Sequence, residues 1–227
     1  MPKKPIVRPR DAASLVLYRR RQGGEIEILM GRRHSKHSFM PQRWVFPGGR
    51  LDAADSRIRP ATPLRPEVEK RMDDCARSPG HARALAVAAI RETFEEVGLL
   101  LAKPAPVPSQ PVPEDWRGFL DRGLAPALDE LDLIMRAITP TFSPKRFHAR
   151  FFLANAESAS GEVGGSGELE DIRWFTIEEA IAIPLVDVTE SVVREAERFL
   201  AEPDARLATD PVPLFCYRGD VRVMPRR

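Results

Sequence analysis

Residues 78–98 have the sequence of a long helix that must be buried along one side. Ser78 can cap its N-terminus, Pro79 suits its first turn, and Gly98 suits the position just past its end. At about 100° per residue, one broad and mostly apolar face forms from Ala82, Leu85, Ala86, Ala89, Ile90, Thr93, Phe94 and Val97. Such a face is stable only against a second layer of structure, so the chain must supply one.

The same helix carries an unusual group of acids. Glu92, Glu95 and Glu96 lie within little more than one turn, and like charges at this spacing repel on a helix surface. Glu92 and Glu96 flank the apolar face, where water is only partly available, and we expect Arg91 to neutralise one carboxylate but not three. A hard divalent cation such as Mg²⁺ would balance the others. The alternative is a solvated acidic stripe with no ligand.

The rest of the chain supplies strands and further helices. Residues 12–20 and 25–33 predict a hairpin, and a third short strand, 43–46, ends at the Pro-Gly-Gly of residues 47–49. Strand character returns in the segments around 146–156 and 171–175. Thr176 and Glu179 form a capping-box pattern, a helix is expected over 188–202, and a strand pair surrounds Gly219. The elements do not alternate regularly, which favours an α+β fold with a mixed sheet between helices.

Two segments are interpreted as additions to one domain over residues 11–227, which follows a solvated N-terminal tail, 1–10. Residues 56–78 mix prolines with a short charged helical piece and are expected to lie outside the core. Residues 104–140 are interpreted as a proline-rich connector followed by a helical insertion.

Composition narrows the class of protein. The chain has 227 residues, a formal net charge of +2 and two cysteines without metal-ligand spacing. These features argue against a nucleic-acid partner and favour a reducing, cytoplasmic setting. No apolar run approaches the ~20 residues of a membrane span, and the basic first residues are not followed by the apolar core of a secretory signal. Oligomeric state is left open.

The segment "RETFEEVG", residues 91–98, resembles the helix of the Nudix box, G-x5-E-x7-R-E-U-x-E-E-x-G-U, in which U is aliphatic. Thr93 departs from the pattern, and Asp55 stands where the family has Glu, six residues after Gly49. Thirty-five residues then separate Asp55 from Arg91, where the pattern has seven. A box split in this way resembles the Nudix motif 19 branch of coenzyme A diphosphatases. The strings "FPGGRLDAAD", "AIRETFEEVGLLL" and "SPKRFHARFFL" also resemble that branch.

The resemblance implies a Nudix fold with a small helical insertion, and an enzyme that hydrolyses a diphosphate bond with Mg²⁺ or Mn²⁺. The expected substrate is a small nucleotide, first of all coenzyme A or acyl-coenzyme A, cut to 3′,5′-ADP and (acyl-)phosphopantetheine. Two alternatives are a Nudix diphosphatase for an ADP-sugar or dinucleotide, and a non-catalytic sensor of a nucleotide metabolite.

The implied site residues fall into three groups. Metal ligands are expected to be Glu92, Glu96, Glu95 and the Gly48 carbonyl, with Arg91 orienting Glu95. The general base is either Glu92 or Glu170, and the second of these could also be an ordinary loop acid. Two basic stretches could hold phosphates, although each charge could equally be a solvated strand-edge residue. The candidates there are Arg33, Arg43, Lys145, Arg146 and Phe147, with Arg32 and Lys36 beside the first two.

Overall fold

The computed structural model describes residues 6–35, 40–109, 112–164, 166–203, 211–219 and 221–224. Eleven strands lie within these residues: β1 (Arg10–Arg20), β2 (Ile26–Arg33), β3 (Trp44–Val45), β4 (Gly48–Arg50), β5 (Ala102–Pro104), β6 (Leu124–Pro126), β7 (Asp132–Ile138), β8 (Phe147–Asn155), β9 (Leu169–Thr176), β10 (Leu214–Arg218) and β11 (Val221–Val223). The α-helices among the same residues are α1 (Pro66–Met72), α2 (Pro79–Val97), α3 (Arg117–Leu120), α4 (Ile177–Ala182) and α5 (Asp187–Ala201).

One mixed sheet forms the centre of the fold. Its strands run in the order β11-β10-β7-β8-β1-β2-β3, with β4 also paired to β1 and β9 to β2. The pairs β1–β8 and β10–β7 are parallel, whereas β1–β2, β1–β4 and β7–β8 are antiparallel. The α+β prediction, with its initial hairpin and terminal strand pair, is therefore confirmed.

Helices cover both faces of this sheet because successive side chains of β1 point to opposite sides. Leu15 and Leu17 belong to a core cluster with Leu85 and Ile90 of α2. Val16 faces the other way, into a second cluster formed with α5. The sheet is thus the middle layer of a sandwich, and the apolar face of α2 is buried against it.

The ends of α2 lie where the sequence predicts them. The Ser78 side chain accepts a hydrogen bond from the His81 N–H, and Pro79 is the first helical residue. Gly98 follows the helix in a left-handed conformation, with φ of 79°, that favours glycine. Thr176 and Glu179 form the expected capping box at α4.

The expectation that residues 56–78 lie outside the core is wrong. Ile58, Leu64, Val68, Met72 and Cys75 are all buried in the cluster that α2 forms with the sheet. Charged side chains of this segment also reach β7, where Arg65 pairs with Asp132 and Arg71 donates a hydrogen bond to the Leu133 carbonyl. The prolines and charges of the segment obscured widely spaced apolar residues, all of which face inward.

The helical prediction for 104–140 is also wrong over much of its length. Among the described residues of this range, α3, four residues long, is the only α-helix, and β7 (Asp132–Ile138) is a central strand of the main sheet. A strand buried on both faces carries apolar residues without alternation, so its periodicity does not distinguish it from a helix.

The N-terminal tail ends earlier than expected. Arg10 already belongs to β1, and the Val7 carbonyl accepts a hydrogen bond from Arg146. Residues 1–5 lie outside the described residues. Within the part of the chain that the structure describes, no helix has the length and apolar character to cross a bilayer.

Replacing Met72 tests whether residues 56–78 belong to the core. Met72 is 1% exposed, so Met72→Ala should lower the free energy of unfolding by about 2–5 kcal/mol. Exposed Lys70, two residues away on α1, is the matched control, and Lys70→Ala should change stability by no more than about 0.5 kcal/mol. Chemical denaturation measures both. Equal, small effects would contradict the core assignment.

Candidate active site

The centre of the site is an ion pair between residues that are distant in sequence. Arg91 Nε donates a hydrogen bond to Asp55 Oδ1 at 2.8 Å, and Arg91 Nη2 donates to Asp55 Oδ2 at 3.1 Å. Asp55 is fully buried and Arg91 is 5% exposed. The fold therefore brings the two parts of the split sequence motif together, because Asp55, before the inserted residues, contacts Arg91, after them. Asp55 takes the expected position despite being shorter than Glu.

Arg91 contacts more acids than the sequence suggested. Its Nη1 lies 2.9 Å from Glu92 Oε1 and 3.2 Å from Glu95 Oε2, while Nη2 donates to the Arg50 carbonyl at 3.2 Å. Arg91 thus contacts two of the three helix acids instead of the expected one, since the guanidinium has five donors in a fixed plane, but it does not contact Glu96. Burial opposes its charge, but the hydrogen bond with Asp55 and the neighbouring acids raise the pKa of Arg91 above its usual value.

Two glycines bring β4 against the acids of α2. The Gly48 N–H donates a hydrogen bond to Glu96 Oε2 at 2.9 Å. A Cβ added at Gly49 would lie 2.4 Å from the Glu92 carboxylate, so only glycine permits this approach. A Cβ at Gly48 would collide with β1, at 2.2 Å from Ser14 Oγ. The two glycines of the Pro-Gly-Gly turn therefore allow the backbone of β4 to lie directly beside Glu92 and Glu96.

These acids are not fully neutralised by the positive charges around them. Burial, with a contribution from the charge of Glu92, raises the pKa of Glu96 to about 8, although the Gly48 hydrogen bond and Arg33 oppose the shift. Burial also raises the pKa of Glu92 to about 7 against the lowering effect of Arg91. The pKa of Glu95 is raised as well, mainly by burial. An additional cation beside Glu92 and Glu96 would relieve this excess of negative charge.

The donor set suits a magnesium-type ion without forming a complete protein cage. Within the described ranges, no group of three or more His, Cys, Asp or Glu side chains is arranged to hold a metal ion. Arg91 accounts for this, because it engages both Glu92 and Glu95. Mg²⁺ commonly takes one or two carboxylates and completes its shell with water and substrate phosphate oxygens. Glu96 and Glu92 beside the backbone of β4 fit that requirement.

Of the basic candidates, Arg33 is one whose charge acts on the acids, since it lowers the pKa of Glu96. Arg43 is a neighbour of Arg33 through the backbone, where its carbonyl accepts a hydrogen bond from the Arg33 N–H. Lys36, predicted in the same stretch, lies outside the described residues.

The loop acids are placed differently from expectation. Glu170 lies in β9, where its Oε1 is 3.2 Å from His34 Nε2. Glu168, two residues earlier and exposed, is among the charges that raise the pKa of Glu96. Sequence reasoning missed Glu168, and the only available signal was its place at the end of the same Gly-rich loop.

The second basic stretch lies at the end of β8 that pairs with the start of β1. Phe147 is the β8 partner of Arg10, four residues along β1 from Ser14, the partner of Gly48, which corresponds to ~13 Å along the strand. Arg146 is buried and donates hydrogen bonds to the carbonyls of Thr139 and Val7. Lys145 is exposed beside it.

Comparison with known proteins identifies this arrangement. No family model matches the chain. The crystal structure of a Nudix hydrolase from Alicyclobacillus acidocaldarius is 28% identical, with a TM-score of 0.68 over 90% of this chain and 98% of that one. The chain is a member of the Nudix hydrolase superfamily. Gly49 and Asp55 accordingly correspond to the first half of the Nudix box, and Arg91 with the acids of α2 to the second half.

The chain is also similar to curated proteins that share one name, acyl-coenzyme A diphosphatase NUDT19. The acyl-coenzyme A diphosphatase NUDT19 of Gallus gallus is 36% identical over 38% of this chain and 28% of its own length. The NUDT19 of Xenopus laevis is 25% identical over 69% of this chain and 54% of its own length. The chain therefore spans about half the length, or less, of the curated relatives it matches.

A pair of substitutions around Arg91 tests the importance of the buried pair. Asp55→Asn leaves the buried Arg91 charge without its best partner, and we expect a loss of about 3–5 kcal/mol in the free energy of unfolding. Glu95→Gln removes a partner that is 34% exposed, and should cost less than about 1 kcal/mol. Urea titration compares the two variants. A loss for Asp55→Asn no larger than that for Glu95→Gln would refute a structural role for the pair.

Proposed function

We propose that this Nudix protein is a metal-dependent hydrolase of a diphosphate bond in a small nucleotide substrate. The observation that carries the proposal is a pair of incompletely neutralised carboxylates, the partly buried Glu92 and the buried Glu96, packed against the glycine backbone of β4. Burying such acids is costly unless a positive charge joins them. A metal–diphosphate complex supplies that charge.

Glu96 and Glu92 would hold Mg²⁺ or Mn²⁺, with Glu95 and the Gly48 carbonyl as further ligands, direct or through water. When bound, the cation would neutralise charge on the diphosphate oxygens and make a bound water more acidic. The Gly48 N–H donates a hydrogen bond to Glu96 Oε2, and this bond would keep the carboxylate oriented for the role.

Other residues of the chain would orient the reacting groups. Arg91 is held by Asp55, and in turn it holds Glu92 and Glu95 at 2.9 and 3.2 Å. Arg33, whose charge acts on Glu96, would bind a diphosphate oxygen together with Arg43, its neighbour through the backbone. Both arginines would add positive charge where the substrate is most negative.

Glu92 is the stronger of the two candidates for the general base. A carboxylate with a pKa of about 7 can accept a proton from water near neutral pH. Glu170 instead contacts His34 and is 37% exposed, which supports the alternative that it is an ordinary loop acid. Glu92→Gln should therefore reduce kcat far more than Glu170→Gln.

For the substrate, we propose coenzyme A or acyl-coenzyme A, cut to 3′,5′-ADP and (acyl-)phosphopantetheine. The support is the name of the curated relatives, acyl-coenzyme A diphosphatase, and the split Nudix box. An ADP-sugar or a dinucleotide would use the same diphosphate chemistry, so the assay must include both.

The test is a product assay with the purified protein and Mg²⁺ or Mn²⁺. The substrates are coenzyme A, acetyl- and longer acyl-coenzyme A, ADP-ribose, NADH and a diadenosine polyphosphate. We expect 3′,5′-ADP from the coenzyme A substrates, and none after EDTA treatment. Release of products from another substrate alone would overturn the coenzyme A assignment. Failure to cut any of them would overturn the hydrolase proposal in favour of a sensor.

Two matched variants link that activity to the site. Glu96→Gln should lower kcat/KM roughly a hundredfold or more, because the amide cannot supply the charge that holds the cation. Glu69→Gln, an exposed position on α1, makes the same chemical change and should have no effect. Equal activity in the two variants would show that Glu96 is not in the active site.

A backbone variant tests the approach of β4 to Glu92. Gly49→Ala should displace the Glu92 carboxylate and lower activity by about tenfold or more, with little change in Tm, since a flexible side chain can move. Gly23→Ala is the control, because a Cβ there meets nothing within 4 Å. Full activity in Gly49→Ala would contradict the need for this close approach.

A further inference from the structure

An open cleft of about 630 Å³ lies at the end of the sheet where β1 begins and β4 ends. Five arginines and two aspartates line it, with His148 among them. Burial and the charge of Arg150 lower the pKa of His148 to about 4, so this side chain is neutral at pH 7. Because the arginines outnumber the aspartates, the lining of the cleft is positively charged, in a chain whose overall formal charge is only +2.

One wall of the cleft is a rigid network. Arg150 is 3% exposed and donates hydrogen bonds from Nε and Nη2 to the Cys75 carbonyl and from Nη1 to Asp11 Oδ1. Arg77 Nη2 donates to Asp11 Oδ2 at 2.9 Å. Asp11 is thus neutralised from two sides. Its negative charge does not cancel the arginines on the opposite wall.

Those opposite arginines are available to a ligand. Arg8, Arg10 and Arg50 are exposed, and their side chains have no hydrogen-bond or ion-pair partner among the residues that the structure describes. His148 adds a second unsatisfied group, because its Nε2 atom is buried without a hydrogen-bond partner in the same described residues. Three free guanidinium groups and an imidazole nitrogen suit an anion with several acceptor oxygens, such as a phosphate monoester.

The cleft is connected to the active site through β4. Arg50 directly follows Gly49, the residue beneath the Glu92 carboxylate, and its own carbonyl accepts a hydrogen bond from Arg91. Arg10 is three residues along β1 from Ala13, the partner of Gly49, which corresponds to ~10 Å. The short strand β4 thus leads from the candidate active site to the cleft.

We propose that this cleft binds a phosphate monoester carried by the substrate itself, at a distance from the diphosphate that is cut. The inference rests on the proposed diphosphatase function and refines its substrate class. The preferred substrate is a nucleoside with a 5′-diphosphate linkage and a second, terminal phosphate. Coenzyme A has this chemistry through its 3′-phosphate, whereas dephospho-coenzyme A, ADP-ribose and NADH lack it.

The test compares coenzyme A with dephospho-coenzyme A, which differ only in that phosphate. The wild-type protein should show a KM for coenzyme A about tenfold or more below that for dephospho-coenzyme A, the size expected for a charge-assisted hydrogen bond. The double variant Arg10→Gln/Arg50→Gln should lose most of this difference. Arg222→Gln, an exposed arginine of β11 at the far edge of the sheet, is the control and should keep it.

A binding titration with Glu96→Gln makes the cleft testable without turnover. We expect 3′,5′-ADP to bind more tightly than 5′-AMP, and this preference to disappear when Arg10→Gln/Arg50→Gln is added. Turnover of both substrates with equal KM, or a preference that survives the double variant, would overturn the proposal and leave the hydrolase function intact. The proposal would also be overturned if the protein bound inorganic phosphate tightly but did not distinguish coenzyme A from dephospho-coenzyme A.

If neither substrate is cut, the proposed function fails, and the titration alone decides the cleft. A preference for 3′,5′-ADP that depends on Arg10 and Arg50 would still support the cleft assignment. Equal affinities for 3′,5′-ADP and 5′-AMP would overturn it.

Discussion

The buried ion pair of Asp55 and Arg91 holds the candidate active site of this Nudix protein together. It joins two segments that are separated by thirty-five residues, and it fixes a guanidinium that also engages Glu92 and Glu95. A buried arginine needs a carboxylate partner, because an unpaired charge in the interior is very costly. The pair therefore determines where α2, β4 and the intervening segment meet.

The inserted segment, residues 56–78, is tolerated because it contributes to the core as well as lengthening the connection. Its inward-facing side chains, including Val68 and Met72, pack in the cluster that α2 forms with the sheet, while Arg65 and Arg71 bind to β7. Its end, residues 74–77, also forms part of the basic cleft. The residues inserted into the Nudix box thus form one wall of the cleft for which we propose phosphate binding.

Two surfaces of opposite charge lie side by side in this protein. Glu92 and Glu96 form a negative site that suits a cation, and the cleft with Arg10 and Arg50 forms a positive site that suits an anion. They meet at β4, whose glycines approach the acids and whose next residue is Arg50. A substrate with a diphosphate and a separate phosphate would complement both charges at once.

The sequence alone determined the local features. These are the caps of α2, the Pro-Gly-Gly of residues 47–49, and the three acids that identify the Nudix box. These follow from side-chain chemistry and helical spacing, which short segments already specify. Only the tertiary structure decided that 132–138 is a central strand and that residues 56–78 contribute to the core. It also showed that Arg146 donates a hydrogen bond to a backbone carbonyl, and that the charges of Arg33 and Glu168 shift the pKa of Glu96. Burial on both faces removes the pattern that marks a strand, and contacts between residues far apart in sequence leave no periodic signal.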